Sequence, residues 1–488
     1  DILFLQARIF WRNRQQEKSL EVIERYLSVS ADSLLRDSAA KEGMALPPDA
    51  DPNFWRKITR VTDWEQRYID KVMTPSFTAS TENRAVSLIA TPLYALYSWQ
   101  ELFAGEFQVR RALARKEYIG ASHYISQLLE KYPEDEMLIF DLAETYAFLG
   151  NSEDEAVLYS RLDKMNPEYP GLSAAKERNR LKRQPRLMTT YRYRKEDGWN
   201  GYKDIRESVG RLGYQRSLAP GHDVTVSASH HRYTDADGDG TLMSNRLTAF
   251  FHGDLFHRVD FKVGGGVEAL ESDEGNTGLF ALELESRITD KVYGNVSYHR
   301  DVVTDTLASL GRNIVAEKIR GALSFDLSPY FNTGGSYGLK TYSDGNELYG
   351  YSLWGSLIFM TEPALLRFTY MYDFQDARES NQQDGPLLDD GFSAGDHPYW
   401  SPRNYWENSF GIYWKQYIFS EMLEKEAPSY YTVEYIIDYD STGHERQSLK
   451  GGLAVELDSH FILESGIEFI SSDNYRASDL SLTAVYRW

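Results

Sequence analysis

Asp235, Asp237 and Asp239 alternate with Ala236 and Gly238 and run into Gly240, which is the spacing of the first half of a calcium loop. Such a loop closes on a bidentate Glu at its twelfth position, and this chain has Arg246 there. The stretch therefore reads as an acidic turn. His230 and His231 lack a partner at metal-ligand spacing, and neighbours on a strand point to opposite faces, so both read as strand residues. Gly264, Gly265 and Gly266 lie inside an alternating segment, which marks a bend or a close backbone approach rather than a phosphate loop. No Ser or Thr is tied by pattern to a His and an acid, as a hydrolase would require. The chain has no cysteine, which excludes disulfides, thiolate metal sites, cysteine-ligated iron–sulfur clusters and covalently attached haem. The reading is a non-enzyme with no cofactor and no resident metal.

The charged residues of the second part are more informative, because they alternate with apolar ones. Leu366, Phe368, Tyr370, Tyr372 and Phe374 share one face, and Arg367, Thr369, Met371, Asp373 and Gln375 share the other. Val259, Phe261, Val263 and Val267 oppose Asp260, Lys262 and Glu268 in the same way. If the apolar faces meet lipid, the charged faces line a lumen. Its acidic candidates are Asp260, Glu268, Asp373, Glu407, Glu434, Asp438, Glu456, Glu464 and Glu468. Its basic candidates are Arg192, Arg194, Lys262, Arg320, Arg367, Lys415 and Lys450. These groups would either line a hydrated path or fill it with an ion-pair network.

Positioning such a wall takes many strands. Alternating segments separated by turn signals predict about sixteen, within the range of outer-membrane barrels. They begin near Leu187, Ile205, Val224, Asn245, Val259, Leu279, Val292, Val315, Thr333, Leu348, Leu365, Tyr405, Tyr430, Ser448, Phe461 and Ala477. If the first strand rises from the periplasm, Tyr233–Met243, Leu270–Thr277, Asp301–Arg312, Asp376–Arg403 and Tyr439–Glu445 are outside loops. Ser217–His222, Arg287–Lys291, Asp326–Tyr330 and Leu457–His460 are inside turns. The outside set is generally the longer, as such barrels require, with Ile418–Pro428 as the exception. Asp376–Arg403 is the candidate lid. The last strand, Ala477 to Trp488, sets Leu480, Leu482, Ala484, Tyr486 and Trp488 against Ser481, Thr483, Val485 and Arg487. An unblunted amphipathic strand at a chain end is a pairing hazard. Pairing it with the first strand, Leu187–Arg194, closes the barrel and removes the hazard.

Residues 1–186 read instead as helical. Ala114, Tyr118, Ala121, Tyr124 and Leu128 recur at helical spacing and stop at Pro133. Leu142, Ala143, Tyr146, Ala156, Tyr159 and Leu162 repeat the pattern and stop at Pro167. The two prolines are 34 residues apart, the period of tetratricopeptide repeats, which stack into a solenoid with a concave binding face. Another copy is read at Leu5–Leu27, and 28–104 is left without a fold assignment. The fold class is therefore α+β and multidomain. A tetratricopeptide-like solenoid over 1–186 precedes an antiparallel membrane barrel over 187–488.

The net charge of −20 is carried almost wholly by residues 187–488, which disfavours nucleic acid and favours a cationic or neutral partner. No run of about 18 apolar residues is present, so no transmembrane helix is expected. Asp1 opens the chain without a basic, then apolar, leader, so a signal peptide has been removed or the sequence is a fragment.

A helical repeat array running directly into a C-terminal barrel of about sixteen strands resembles the exopolysaccharide exporters of Gram-negative outer membranes. These are the poly-N-acetylglucosamine, Pel and cellulose exporters. The residues that carry the resemblance are the repeats at Tyr118–Pro133 and Tyr146–Pro167 and the closing strand Leu480–Trp488. The resemblance implies a passive conduit in the outer membrane with its helical domain in the periplasm. It implies that the repeats receive polymer or dock a polysaccharide-modifying enzyme or other secretion-complex proteins. It also implies that Leu480, Leu482, Ala484, Tyr486 and Trp488 are read by the barrel-assembly machinery. Family members often have longer arrays, so the resemblance implies a short member or a C-terminal piece. A protein-interaction scaffold anchored by a plugged barrel is the alternative reading.

Overall fold

The computed structural model describes residues 18–22, 105–219, 221–235, 240–255, 259–271, 275–361, 364–380, 397–418 and 429–488. The repeat copy at Leu5–Leu27 apart from 18–22, the region 28–104, Asp237 and Asp239 of the acidic turn, and most of Ile418–Pro428 lie outside the described residues.

Period-two sequence produces strands here because each strand buries its backbone polar groups in two neighbours. Sixteen strands run in chain order: β1 Arg186–Gly198, β2 Lys203–Ala219, β3 His222–Thr234, β4 Thr241–Leu255, β5 Val259–Leu270, β6 Asn276–Thr289, β7 Val292–Val302 and β8 Val315–Ser328. The second eight are β9 Phe331–Tyr342, β10 Glu347–Met360, β11 Ala364–Ala377, β12 Tyr405–Tyr417, β13 Tyr430–Asp440, β14 Glu445–Glu456, β15 Phe461–Ser472 and β16 Tyr475–Arg487. They form one closed antiparallel barrel in which each strand pairs with its neighbours in sequence. β1 and β16 close it in register from Arg186↔Arg487 to Gly198↔Tyr475. That ladder removes the sheet edge that either terminal strand would otherwise present.

Pairing fixes which residues share a face. Leu187, Tyr191, Leu482 and Tyr486 meet across the closing seam and are all exposed. Ile319 with Leu339, and Ile412 with Tyr435, repeat the arrangement on other strand pairs. The barrel exterior is thus its apolar surface, with aromatic rings stacked near its ends, as at Tyr214–Trp488 and Tyr486–Trp488. This is the inverse of a water-soluble protein and suits a barrel whose solvent is lipid. No described helix is long and apolar enough to cross a membrane.

The hairpins divide into two ends. Connections leading from an even to an odd strand form the turn end, and those from an odd to an even strand form the loop end. Register shifts at Ser217/Ala219, Arg287/Thr289, Asp326/Ser328 and Ile358/Met360 all fall at the turn end. Within β5, a Cβ added at Gly264 would fall 2.2 Å from the Ala249 carbonyl oxygen, so the glycine triplet marks a close backbone approach.

The chain divides into two compact units at Leu138/Ile139. In the first, helical residues 105–114 bury the Glu106–Arg110 pair at 2.7 Å, and Arg110 also donates to Ser19 Oγ. Helix α1 (Tyr118–Lys131) follows. Helix α2 (Glu136–Phe148) starts in this unit and is capped by Asp135, whose carboxylate accepts from the Met137 and Leu138 amides. In the second unit, α3 (Ser152–Met165) and α4 (Leu172–Lys182) precede the barrel. Glu144 accepts from both Tyr159 and Arg178. Burial raises the Glu155 carboxyl, which Lys182 offsets from 3.6 Å. Pro133 and Pro167 each stand two residues beyond a helix end, at α1 and α3.

Candidate functional site

The ladder that turns Leu, Ile and Tyr outward turns the intervening residues inward. All nine acidic candidates and all seven basic ones lie on the inner wall. What sequence could not assign is their pairing. Glu268 is fully buried and accepts from Arg246 at 2.6 Å and from Ser244 at 2.7 Å. Arg246 also reaches Asp301 at 2.9 Å. Glu407 and Asp438 share Arg446. Glu456 holds the buried Arg487 at 2.6 Å, and Lys450 lies 3.2 Å from Glu468. Asp373 accepts from Ser352. Asp260, Asp373, Glu434 and Glu464 of the nine have no ion pair among the described residues. Asp260, Glu434 and Glu464 lie nearer the turn end of their strands, and Asp373 nearer the loop end of β11.

The acidic composition therefore overstates the negative charge presented by the wall. Arg192 is paired with Asp479, Arg194 with Glu207, and Lys262 with Glu283. By contrast, Arg367 and Lys415 lie over Tyr rings, at Tyr413 and at Tyr417 and Tyr430. Of the two histidines, His231 faces inward. It bonds Glu207, Ser229 and Tyr233, while His230 meets Asn245 on the outer face. Among the described residues no cluster of His or acids could hold a metal ion.

The loop end is the more elaborate. The β7–β8 connection does not stand clear of the barrel, as a plain outside loop would. It carries a short helix α5 (Leu307–Gly311) started by a capping box between Thr306 and Ser309. Leu307 and Leu310 pack with Ile205, Tyr233, Leu242, Leu270, Leu279 and Val302, contributed by β2 to β7. From there the loop reaches across to β1 and β2. Arg194 donates to Thr304 Oγ1 at 3.0 Å, Lys203 Nζ to Asp305 Oδ1 at 2.6 Å, and the Asp204 amide to the Asp305 carbonyl at 3.2 Å. Burial alone would raise the Asp305 carboxyl. Lys203, then Lys340 and the hydrogen bonds, outweigh burial and hold it below the usual range.

A second segment, 397–404, lies against the first. Thr306 Oγ1 donates to the Pro398 carbonyl at 2.6 Å, and the Trp400 amide donates to Asp305 Oδ2 at 3.3 Å. Tyr399 stacks on Tyr342 at 3.9 Å, and Trp400 on Trp199 at 4.2 Å. Trp199 is also stacked on Tyr475 and meets Tyr405 edge-on. Its φ of 52° is strained for a residue with a Cβ, and these ring contacts hold it there. Beside the cluster lies a cavity of about 410 Å³ lined by Lys203, Asp305, Lys340, Asp373, Glu407 and Arg446 among others. The described part of the Asp376–Arg403 loop thus does lie over the mouth, in company with a β7–β8 loop that sequence did not single out. The available signals were two leucines, Leu307 and Leu310, three residues apart in a polar loop, and the aromatic pair Tyr399-Trp400.

No protein-family model matches the chain, and no curated protein is similar to it in sequence. Among solved structures, a "Bacterial polysaccharide outer membrane secretin" is similar at 9% identity and a TM-score of 0.48, over 63% of this chain and 99% of that one. OccK3 (OpdO) of Pseudomonas aeruginosa is similar at 9% identity and a TM-score of 0.34, over 62% of this chain and 95% of that one. The outer membrane protein OprD of the same organism is similar at 11% identity and a TM-score of 0.33, over 62% and 93%. Likeness at this level carries no argument about function, which has to come from the geometry of this chain.

Proposed function

We propose that the barrel is an outer-membrane channel through which an exopolysaccharide leaves the cell, with the helical part on the periplasmic side. The observation that carries this reading is a closed barrel with an apolar exterior and a polar inner wall leading to a mouth crossed by two loops. An ion-paired, hydrogen-bonded wall offers many weak polar contacts, which lets a hydrated chain bind and move on. The helix ends two residues before Pro133 and Pro167 support a tetratricopeptide-type array, and such arrays bind proteins or polymer along a concave face. In this reading the array passes polymer to the barrel or docks a polysaccharide-modifying enzyme or other secretion-complex protein. Asp260, Glu434 and Glu464, unpaired near the turn end, support a path that admits a cationic or neutral polymer there. Leu480, Leu482, Ala484, Tyr486 and Trp488, on the lipid face of the closing strand, serve barrel assembly in this reading.

The packing of Leu307 and Leu310 inside the mouth favours a second reading, a plugged barrel that anchors a scaffold. Conductance of the purified protein in planar bilayers separates the two. The channel reading expects discrete openings that added polysaccharide blocks. A protein that inserts but never conducts, and whose deletion leaves surface polymer unchanged, would leave the scaffold.

A further inference from the structure

Two lysines face each other on the inner wall at the loop end. Lys318 on β8 is directly opposite Lys340 on β9, and His299 on β7 is opposite Lys318 on its other side. Their outward neighbours Ile319 and Leu339 are exposed apolar residues, so the lysines point into the lumen. Arg320 follows on the same face of β8. Like charges directly opposed across a ladder destabilise a sheet, and this wall could have avoided the pair with any neutral residue. On the same wall Arg246, Arg446 and Arg487 are matched by carboxylates, whereas Arg367 and Lys415 lie over Tyr rings. Here Glu283 lies 3.5 Å from His299 but is already held by Lys262 at 2.9 Å. Arg320 donates to Ser336 Oγ at 3.0 Å, and Lys340 lies over the Tyr342 ring and shares the cavity at the mouth with Asp305 and Asp373, neither within ion-pair distance of it. Among the described residues none of Lys318, Lys340 and Arg320 has an ion pair, and Lys318 and Arg320 are exposed to the lumen. Opposite Arg320 the wall carries Gly338, and opposite Gly338 it carries Gly350, so neither of the next two strands adds a side chain at that level.

We propose that Lys318, Lys340 and Arg320 form an anion-binding station that takes an acidic group, a carboxylate or a sulfate or phosphate ester, carried on the polymer. The guanidinium offers a planar fork to such oxygens and the two ammonium groups offer point charges. An occupying anion removes the repulsion that the bare register imposes. The station rests on the channel reading above for the identity of the ligand as a polymer, and specifies one that carries acidic groups beside its cationic or neutral residues.

The test is calorimetric titration of the detergent-solubilised full chain with inorganic sulfate and, separately, with an oligogalacturonate. A single-charge variant, Lys318→Gln, and the triple variant K318Q/R320Q/K340Q are run beside it. Salt-sensitive binding of both probes is expected, about tenfold weaker in the single variant and absent in the triple. Binding of sulfate without the oligosaccharide would assign the station to free small anions and overturn its link to polymer. Binding that the triple variant leaves unchanged, or no binding in the wild type, would overturn the station itself. Bilayer conductance of the same preparations keeps the two ideas apart. Anion binding without conductance sinks the channel, and conductance without anion binding sinks the station. If the triple variant fails to fold, charge reversal at Lys318 alone, Lys318→Glu, gives the same readout.

Discussion

Removing the Asp305 carboxylate should release the mouth. Asp305 is where three segments meet: its side chain accepts from Lys203 on β2 and from the Trp400 amide, and its carbonyl accepts from the Asp204 amide. The Lys203–Asp305 pair is 2.6 Å long, and its side chains are 23% and 16% exposed. Deleting one partner of a buried pair costs roughly 3–5 kcal/mol. Partial exposure places this pair at the low end, about 3 kcal/mol, or about a hundredfold in the docking equilibrium of the loop. A mouth that is open about 1% of the time would then be open about half of it. Asp305→Ala should therefore raise open probability in single-channel records, with Lys203→Met behaving alike and the swap Asp305→Lys with Lys203→Asp partly restoring closure. Since Asp305 titrates below its usual range, its contribution is present above the unfolded-state value and lost as pH falls through the lower folded-state value. Wild-type openings should thus lengthen and come to resemble the variant only when the pH is taken below the ordinary aspartate range. Unchanged open probability in correctly folded Asp305→Ala barrels would refute the idea that this carboxylate ties the loops down.

Three further outcomes follow from the same geometry. Arg446→Leu leaves Glu407 and Asp438 buried without their shared cation, so urea unfolding of the barrel in lipid should show a loss of about 3–5 kcal/mol. Arg446→Lys should recover only part, because one ammonium replaces a two-sided fork. Deleting Trp488, which stacks on Tyr214 and Tyr486 at the seam, should slow membrane insertion measured by protease protection, while barrels that do insert conduct normally. His397 is pulled down by burial but raised more by Asp344 and Glu379, so its contribution is complete below its unfolded value and fades as pH rises through the higher folded value. Hydrogen exchange of 397–405 should accordingly be slower near pH 6 than near pH 9 after correction for intrinsic rates, and His397→Gln should abolish the difference.

The sequence by itself determined the strands, their faces and their number. Period two places Leu366, Phe368 and Tyr370 on one side whatever the neighbours are, and a strand whose apolar face is turned the wrong way in lipid is heavily penalised. All sixteen predicted starts fall within a few residues of the observed ones, and β16 pairs with β1 as its unblunted end required. The inward placement of Asp260, Glu434 and the other candidates follows from the same alternation. Which of them keep their charge unpaired does not. Glu407 meets Arg446 and Glu268 meets Arg246 only because the register between particular strands sets their side chains opposite or diagonal to one another, and register is a property of the closed sheet. The mouth was least legible. Trp199 and Trp400 stack from about two hundred residues apart, and Asp305 finds Lys203 a hundred residues away, through loop paths that no local periodicity encodes. Local pattern fixes strands because each residue's face depends on its immediate neighbours. The packing of the mouth loops and the ion pairs depend on contacts that exist only once the barrel has closed.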